Sequence, residues 1–134
     1  MLLVVAAVIR SSAKILVCQR RREDTFRLMW EFPGGKVKDG ETPRQALARE
    51  LEEELGVKAE IGDELFHTTH RYAEMHEPIE LIFFSAALDP DLIRNLAFET
   101  MEWRAPESLG ELNFLPADRG VVAMLIRDRT SKRE

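Results

Sequence analysis

Four of the five residues from Glu50 to Glu54 are glutamates, directly after Arg49 and shortly before Gly56-Val57. On a helix Glu50, Glu53 and Glu54 share one face, because positions three and four apart are neighbours. Glu52 points away from them, and the stripe Leu47, Leu51 and Leu55 takes a different face. Like charges crowded on one face destabilise a bare helix, and a bound cation is the simplest compensation. Hard carboxylate oxygens select Mg²⁺ or Mn²⁺, ions that keep positions open for water and substrate phosphates. A solvated acidic face is the ordinary alternative for a glutamate run. The setting separates the two, since Gly34 and Gly35, the acid Glu41, Arg49 and a terminal Gly56-Val57 frame the acids.

These acids need a helix with defined ends. Thr42 is a capping residue, Pro43 suits the first helical position and Gly56 supplies the stop. Upstream, Leu2 to Ile9 and Lys14 to Gln19 are β-branched segments around a polar turn, a hairpin or neighbouring strands. A charged loop from Arg20 to Arg27 follows, and Trp30-Glu31-Phe32 runs into the breaker Pro33-Gly34-Gly35. Downstream, Val57 to Ile61 and Leu65 to Thr69 read as two strands, Pro78 to Phe84 as a more buried one, and Asp89-Pro90-Asp91 as a turn. A short strand around Met101 to Trp103 precedes a final helix from about Pro116 to Arg127, with Val121, Val122, Leu125 and Ile126 facing inward. The polar tail from Thr130 to Glu134 is expected to fray. Strands around a central helix, closed by a terminal helix, give an α/β fold with a mixed sheet between helices.

A chain of 134 residues with 45% apolar content makes one domain, taken as 1–134. Its net charge of -5 argues against holding long nucleic acid, which binds largely through phosphate neutralisation. The apolar start, Met1 to Ile9, lacks a basic leader and is too short to span a bilayer, so no membrane partner is expected. Cys18 is the single cysteine, so no intrachain disulfide forms; a buried reduced thiol and a cytoplasmic location are expected. His67 and His70 would face opposite sides of a regular strand, which speaks against a second metal site. Tyr72 is either a base-stacking ring or an edge aromatic.

The stretch 35–57 resembles the Nudix box, G-x5-E-x7-R-E-U-x-E-E-x-G-U with U aliphatic. It matches at Gly35, Glu41, Arg49, Glu50, Leu51, Glu53, Glu54, Gly56 and Val57. The flanks are similar to the MutT-type branch at Gln19-Arg20, Trp30 to Lys36, Trp103 and Leu115 to Asp118. The resemblance implies a Nudix-type α/β/α sandwich. It also implies a Mg²⁺-dependent pyrophosphohydrolase, with Mn²⁺ able to substitute, that converts a nucleoside triphosphate to monophosphate and pyrophosphate. Carried over by position, Glu50, Glu53 and Glu54 hold the metal with the Gly34 carbonyl, and Arg49 orients the acids, with Glu41 in support. Lys36 and Arg20 reach phosphates, while Phe32 and Asp118 lie nearer the base.

One position departs from the pattern. Relatives often carry a glutamate six residues before the downstream tryptophan, and here that residue is Ala97, with Glu99 and Glu102 nearer Trp103. The general base is therefore assigned to Glu53, with Glu99 as the other candidate. As an acceptor, Asp118 favours a base with an exocyclic amine, such as cytosine or a guanine form; as a helix-opening acid it would instead complement the helix dipole. Hydrolysis of ADP-ribose, nucleotide sugars or dinucleoside polyphosphates is the alternative within the family, and a non-catalytic ligand-sensing domain the alternative outside enzymes. The partner is a small nucleotide and the chain a monomer or homodimer.

Overall fold

Side chains alternate along a strand, and in β1 (Leu2–Ser11) both sets are apolar: Val5, Ala7 and Ile9 point one way, Ala6 and Val8 the other. A strand buried on both faces belongs in the interior of a covered sheet. In the computed structural model, which describes residues 1–131, β1 runs parallel to β6 (Ile79–Ala87), from Leu2 opposite Ile79 to Ile9 opposite Ala86. Around this pair lie β2 (Lys14–Gln19), β3 (Trp30–Glu31), β4 (Gly34–Lys36), β5 (Glu60–His70) and β7 (Thr100–Arg104). The order is β3-β2-β1-β6-β5, with β4 antiparallel to β1 and β7 antiparallel to β2. The β1–β6 pairing is parallel and the other named pairings antiparallel, so the sheet is mixed.

Helix α1 (Pro43–Leu55) covers one face, burying Ala46, Leu47, Leu51 and Leu55 against Val5, Ala7, Ile9 and Leu16. Helix α2 (Arg119–Ser131) covers the other, with Val121, Val122 and Leu125 packed against Ala6, Val8, Val17 and Phe83. The result is the three-layer α/β/α arrangement expected from the order of elements. Cys18 is fully buried on the α1 side, and its thiol pKa is raised by burial and then by Glu31 and Glu54. None of the described helices is long and apolar enough to cross a membrane.

Several boundaries differ from the sequence expectation. The segments around Ile61 and Leu65 are one strand, β5, whose register shifts between Ile61 and Glu64 and again before Phe66. Bulges carry a strand through such irregularities without ending it. Strands β1 and β2 meet at a tight turn through Ser12 and Ala13 but pair only at Arg10–Ile15 and Ser11–Lys14. Beyond that point the neighbours of β1 are β4 and β6, so the hairpin opens at once. The last helix begins later than Pro116. Pro116–Asp118 is a 3-10 turn, closed by the Asp118 N–H donating to the Leu115 carbonyl at 2.9 Å, and α2 starts at Arg119. Of the tail expected to fray, Thr130 and Ser131 continue α2, and 132–134 lie outside the described residues.

Candidate active site

Both ends of α1 are fixed by local chemistry. Thr42 and Gln45 form a reciprocal capping box, Pro43 occupies the first turn, and Gly56 closes the helix at φ 68°. With its ends set, the helix directs Glu50 and Glu54 toward β4 and leaves Glu52 and Glu53 exposed. The Glu54 Oε1 accepts the Gly34 N–H at 3.0 Å. The Glu50 carboxyl lies over Gly35 so closely that a β-carbon there would sit 2.4 Å from its Cδ. Gly35 thus makes room for the Glu50 carboxyl, while Gly34 lets β4 lie close against the β1 backbone.

Arg49 gathers the remaining acids. Its Nε and Nη2 bind both oxygens of Glu41 at 2.7 and 3.0 Å, and its Nη1 reaches Glu50 at 2.9 Å and Glu53 at 3.3 Å. Its Nη2 also donates to the Lys36 carbonyl at 3.1 Å, which fastens the helix to the end of β4. These bonds to Arg49, with one from the Lys38 N–H, hold the Glu41 carboxyl at a pKa of about 2. Glu54 moves the other way, to about 9, because it is buried and then because Glu50 and Glu31 are near. A carboxyl held among other carboxyls favours a bound cation, whose charge would offset their repulsion. The donors are hard oxygens suited to a divalent ion such as Mg²⁺. Among the described residues no three His, Cys, Asp or Glu side chains stand close enough to hold an ion as they lie. Glu50 and Glu53 are turned to Arg49 and Glu54 to Gly34, so the acids would have to exchange those partners for the ion.

A cavity of about 450 Å³ opens beside this cluster. Its lining includes Gly34, Gly35, Lys36 and Glu54, with Glu54 bonded to Gly34, and Tyr72, Ala117 and Asp118, with Tyr72 bonded to Ala117. Lys36 is exposed at the rim. Arg20 lines the wall, with its Nη1 shared between the two Glu31 oxygens at 3.1 and 3.2 Å and its Nε on the Thr25 carbonyl at 2.7 Å. Phe32 is buried, stacked on Phe114 at 5.5 Å, and its N–H donates to Asp118 Oδ2 at 3.3 Å. Asp118 is therefore turned into the interior, 4% exposed, on the 3-10 turn before α2. Its pKa is raised by burial and then by Glu31.

The structure brings Arg49, Glu50, Glu53 and Glu54 together on α1 beside β4, and places Arg20, Phe32, Lys36 and Asp118 around the cavity. The contacts of Glu99 are with other residues: its N–H bonds the Gln19 carbonyl and its carboxylate pairs with Arg22 at 3.6 Å. Sequence reasoning gave Glu31 no role, yet this partly buried acid holds Arg20 and its own pKa is raised, first by loss of solvent. The available signal was an acid set between two large aromatics, Trp30 and Phe32, both of which are buried. Of the histidines, His67 bonds Glu80 at 2.6 Å and the His70 ring lies 4.4 Å from Tyr72.

The NUDIX domain profile matches residues 1–125. The chain is 35% identical over 118 residues to the CTP pyrophosphohydrolase of Escherichia coli K12, covering 88% of this chain and 86% of that protein. It is also 35% identical over 129 residues to the 8-oxo-dGTP diphosphatase of Haemophilus influenzae, covering 93% and 91%. Among solved structures, the solution structure of the E. coli ORF135 protein superimposes with a TM-score of 0.83 at 32% identity, over 98% of this chain and 92% of that one. With the complete box folded as a loop, helix and loop beside a nucleotide-sized cavity, the chain belongs to the NUDIX family, whose members use divalent metal ions, and is a hydrolase of phosphoanhydride bonds.

Proposed function

We propose that this protein is a Mg²⁺-dependent nucleoside triphosphate pyrophosphohydrolase that releases monophosphate and pyrophosphate, acting in the cytoplasm as one catalytic domain. The observation that carries the reading is one cavity whose lining joins the acid Glu54 and the cation Lys36 to the buried acid Asp118. Such a lining suits a molecule that carries both phosphates and a polar heterocycle. The relatives named for CTP and for 8-oxo-dGTP support the same substrate class.

Glu50, Glu53 and Glu54 would hold the ion, with the Gly34 carbonyl as a further ligand. When bound, the ion polarises phosphate oxygens and stabilises leaving pyrophosphate. Arg49 keeps Glu50 and Glu53 aligned, with Glu41 fixing Arg49 in turn. Lys36 neutralises phosphate charge at the rim. Glu53, the exposed acid on the cluster, takes the proton from the attacking water, and Glu99 is disfavoured for that task by its pairing with Arg22. Arg20 is held by Glu31 on the cavity wall, which fixes its direction toward the substrate. Asp118 reads the base; its raised pKa lets it present a carboxylic O–H as well as an acceptor oxygen, a pair suited to cytosine or an oxidised guanine.

The test is pyrophosphate release from a panel of canonical, oxidised and 5-substituted nucleoside triphosphates, with nucleotide sugars and ADP-ribose alongside. Pyrophosphate should appear with Mg²⁺ or Mn²⁺ from at least one triphosphate and stop on chelation. Orthophosphate alone, or turnover that ignores the chelator, rejects the reading.

A further inference from the structure

Helix α1 carries its charges against its own dipole. Arg44 stands in the first turn, the last turn holds Glu52, Glu53 and Glu54, and no basic residue accompanies them there. Negative charge at a helix C-terminus is unfavourable, and the last carbonyls of a helix have no partner within it. The turn that carries two of the proposed metal-binding acids is therefore the one most prone to fray, unless something outside the helix holds it.

The chain between β6 and β7 does so. The Leu96 N–H donates to the Glu54 carbonyl at 3.0 Å, and the Arg94 N–H to the Leu55 carbonyl at 2.8 Å. The Arg94 guanidinium lies over Gly56, with its Nε 2.8 Å from where a β-carbon would stand, and brings positive charge to the helix end. Asn95 folds this segment back on itself. Its Oδ1 accepts the Phe98 N–H at 2.8 Å and the Ala97 N–H at 3.3 Å, and its Nδ2 donates to the Phe98 carbonyl at 2.9 Å. Phe98 is buried in the core that α1 covers, and the Glu99 N–H reaches the Gln19 carbonyl on β2 at 2.9 Å. Residues 94–99 thus strap the end of α1 to the sheet, and none of them lines the cavity.

We propose that this strap is a positioning element for the metal-binding end of α1, and that Asn95, by closing it, sets the backbone from which Glu54 presents its carboxyl to the divalent ion. The inference rests on the metal reading above. Glu54 is held at both ends, its carboxyl by the Gly34 N–H and its carbonyl by the Leu96 N–H. With that carboxyl turned to an ion, the strap is what holds the Glu54 backbone from outside the helix.

The test measures Mn²⁺ binding to the nucleotide-free protein, from the electron paramagnetic resonance signal of the unbound ion, beside the Mg²⁺ dependence of turnover. Asn95→Ala should weaken Mn²⁺ binding roughly ten-fold, the scale of removing a group that supports a metal ligand. It should raise the Mg²⁺ concentration for half-maximal rate by a similar factor, and leave KM for the nucleotide at saturating Mg²⁺ near the parent's. Asn95→Ser, whose hydroxyl accepts in the same kind of turn more weakly, should lose less. Val122→Ala, a core change on the α2 side, is the control for stability: it should lower the melting temperature with Mn²⁺ affinity unchanged. Should Asn95→Ala fail to fold, amide exchange in the parent decides the matter. By reciprocity, saturating Mg²⁺ should slow exchange of the Leu96 N–H more than that of the β7 amides, and equal effects on both overturn the inference. Parental Mn²⁺ affinity in Asn95→Ala, or an equal loss in Val122→Ala, also overturns it while leaving the metal reading standing. A parent that binds no Mn²⁺ overturns that reading as well.

Discussion

Glu52 and Glu53 are both exposed neighbours on α1, yet only Glu53 meets Arg49. Glu53→Gln should lower kcat by roughly two to four orders of magnitude, the scale of losing a general base, with an unchanged melting temperature. Glu52→Gln should leave kcat at the parental value; an equal loss in both variants, measured in the same pyrophosphate assay, would mean that the helix face is wrongly assigned. Asp118 offers a pH test. Its folded pKa is raised above the ordinary 3.8, so the folded protein binds a proton more readily than the unfolded chain. The stability from this group is complete below pH 3.8 and is lost as pH rises through the folded value. Asp118→Asn cannot ionise, and its amide oxygen can still accept the Phe32 N–H. Its melting temperature relative to the parent should therefore climb as pH rises above 3.8, in thermal scans taken across that range. A constant offset would show that Asp118 does not change protonation on unfolding. Glu50, Glu53 and Glu54 were legible as a group because helical spacing alone puts them together. Glu31 was not, because its importance comes from burial beside Arg20, which depends on the meeting of β2 and β3.

At the scale of elements, β4 carries adjacent glycines with opposite tolerances. A β-carbon on Gly34 would sit 2.0 Å from the Val5 carbonyl oxygen, and backbone inside a sheet cannot move aside. On Gly35 it would meet the Glu50 carboxyl, the far end of a side chain that can swing away. Gly34→Ala should therefore lose folded protein, measured by circular dichroism and soluble yield. Gly35→Ala should fold normally and need several-fold more Mg²⁺ for half-maximal rate, because Glu50 is displaced from the cluster. Normal metal dependence in Gly35→Ala would remove Glu50 from the metal set. Helix α1 could be read from the sequence at both ends, since its cap, stripe and stop are local. The late start of α2 could not, because Asp118 turns inward to the Phe32 N–H, a partner 86 positions away in the chain.

For the molecule as a whole, the layering was legible and the strand order was not. Alternating and continuous apolar runs announce a sheet with two covered faces, but nothing in Leu2 to Ile9 names Ile79 to Ala86 as its parallel neighbour. The cavity shares this property. Its lining comes from β1, from the loops at 20–29 and 71–78 and from the Asp118 turn, so its shape exists only after the chain has closed. The relatives and the box together identify the chemistry, whereas the Tyr72 and Phe26 contact exists only where those loops meet.

The parallel pairing of the first long strand with a strand near residue 80 also sets a timetable for biosynthesis. At about 5–20 residues per second, β1 waits several seconds after leaving the ribosome before β6 exists. During that wait its early partners are β2, at two residue pairs, and β4, at three, so the edge that β6 will take remains unsatisfied. Nascent chains stopped before Ile79 should be cleaved rapidly by protease and bind chaperones, while chains released beyond α2 should resist both. Protease resistance already present in the shorter chains would show that β1 finds a shelter that the finished fold does not use. Closure around β1 therefore waits on a strand made much later, which leaves the chain exposed to misfolding during its synthesis.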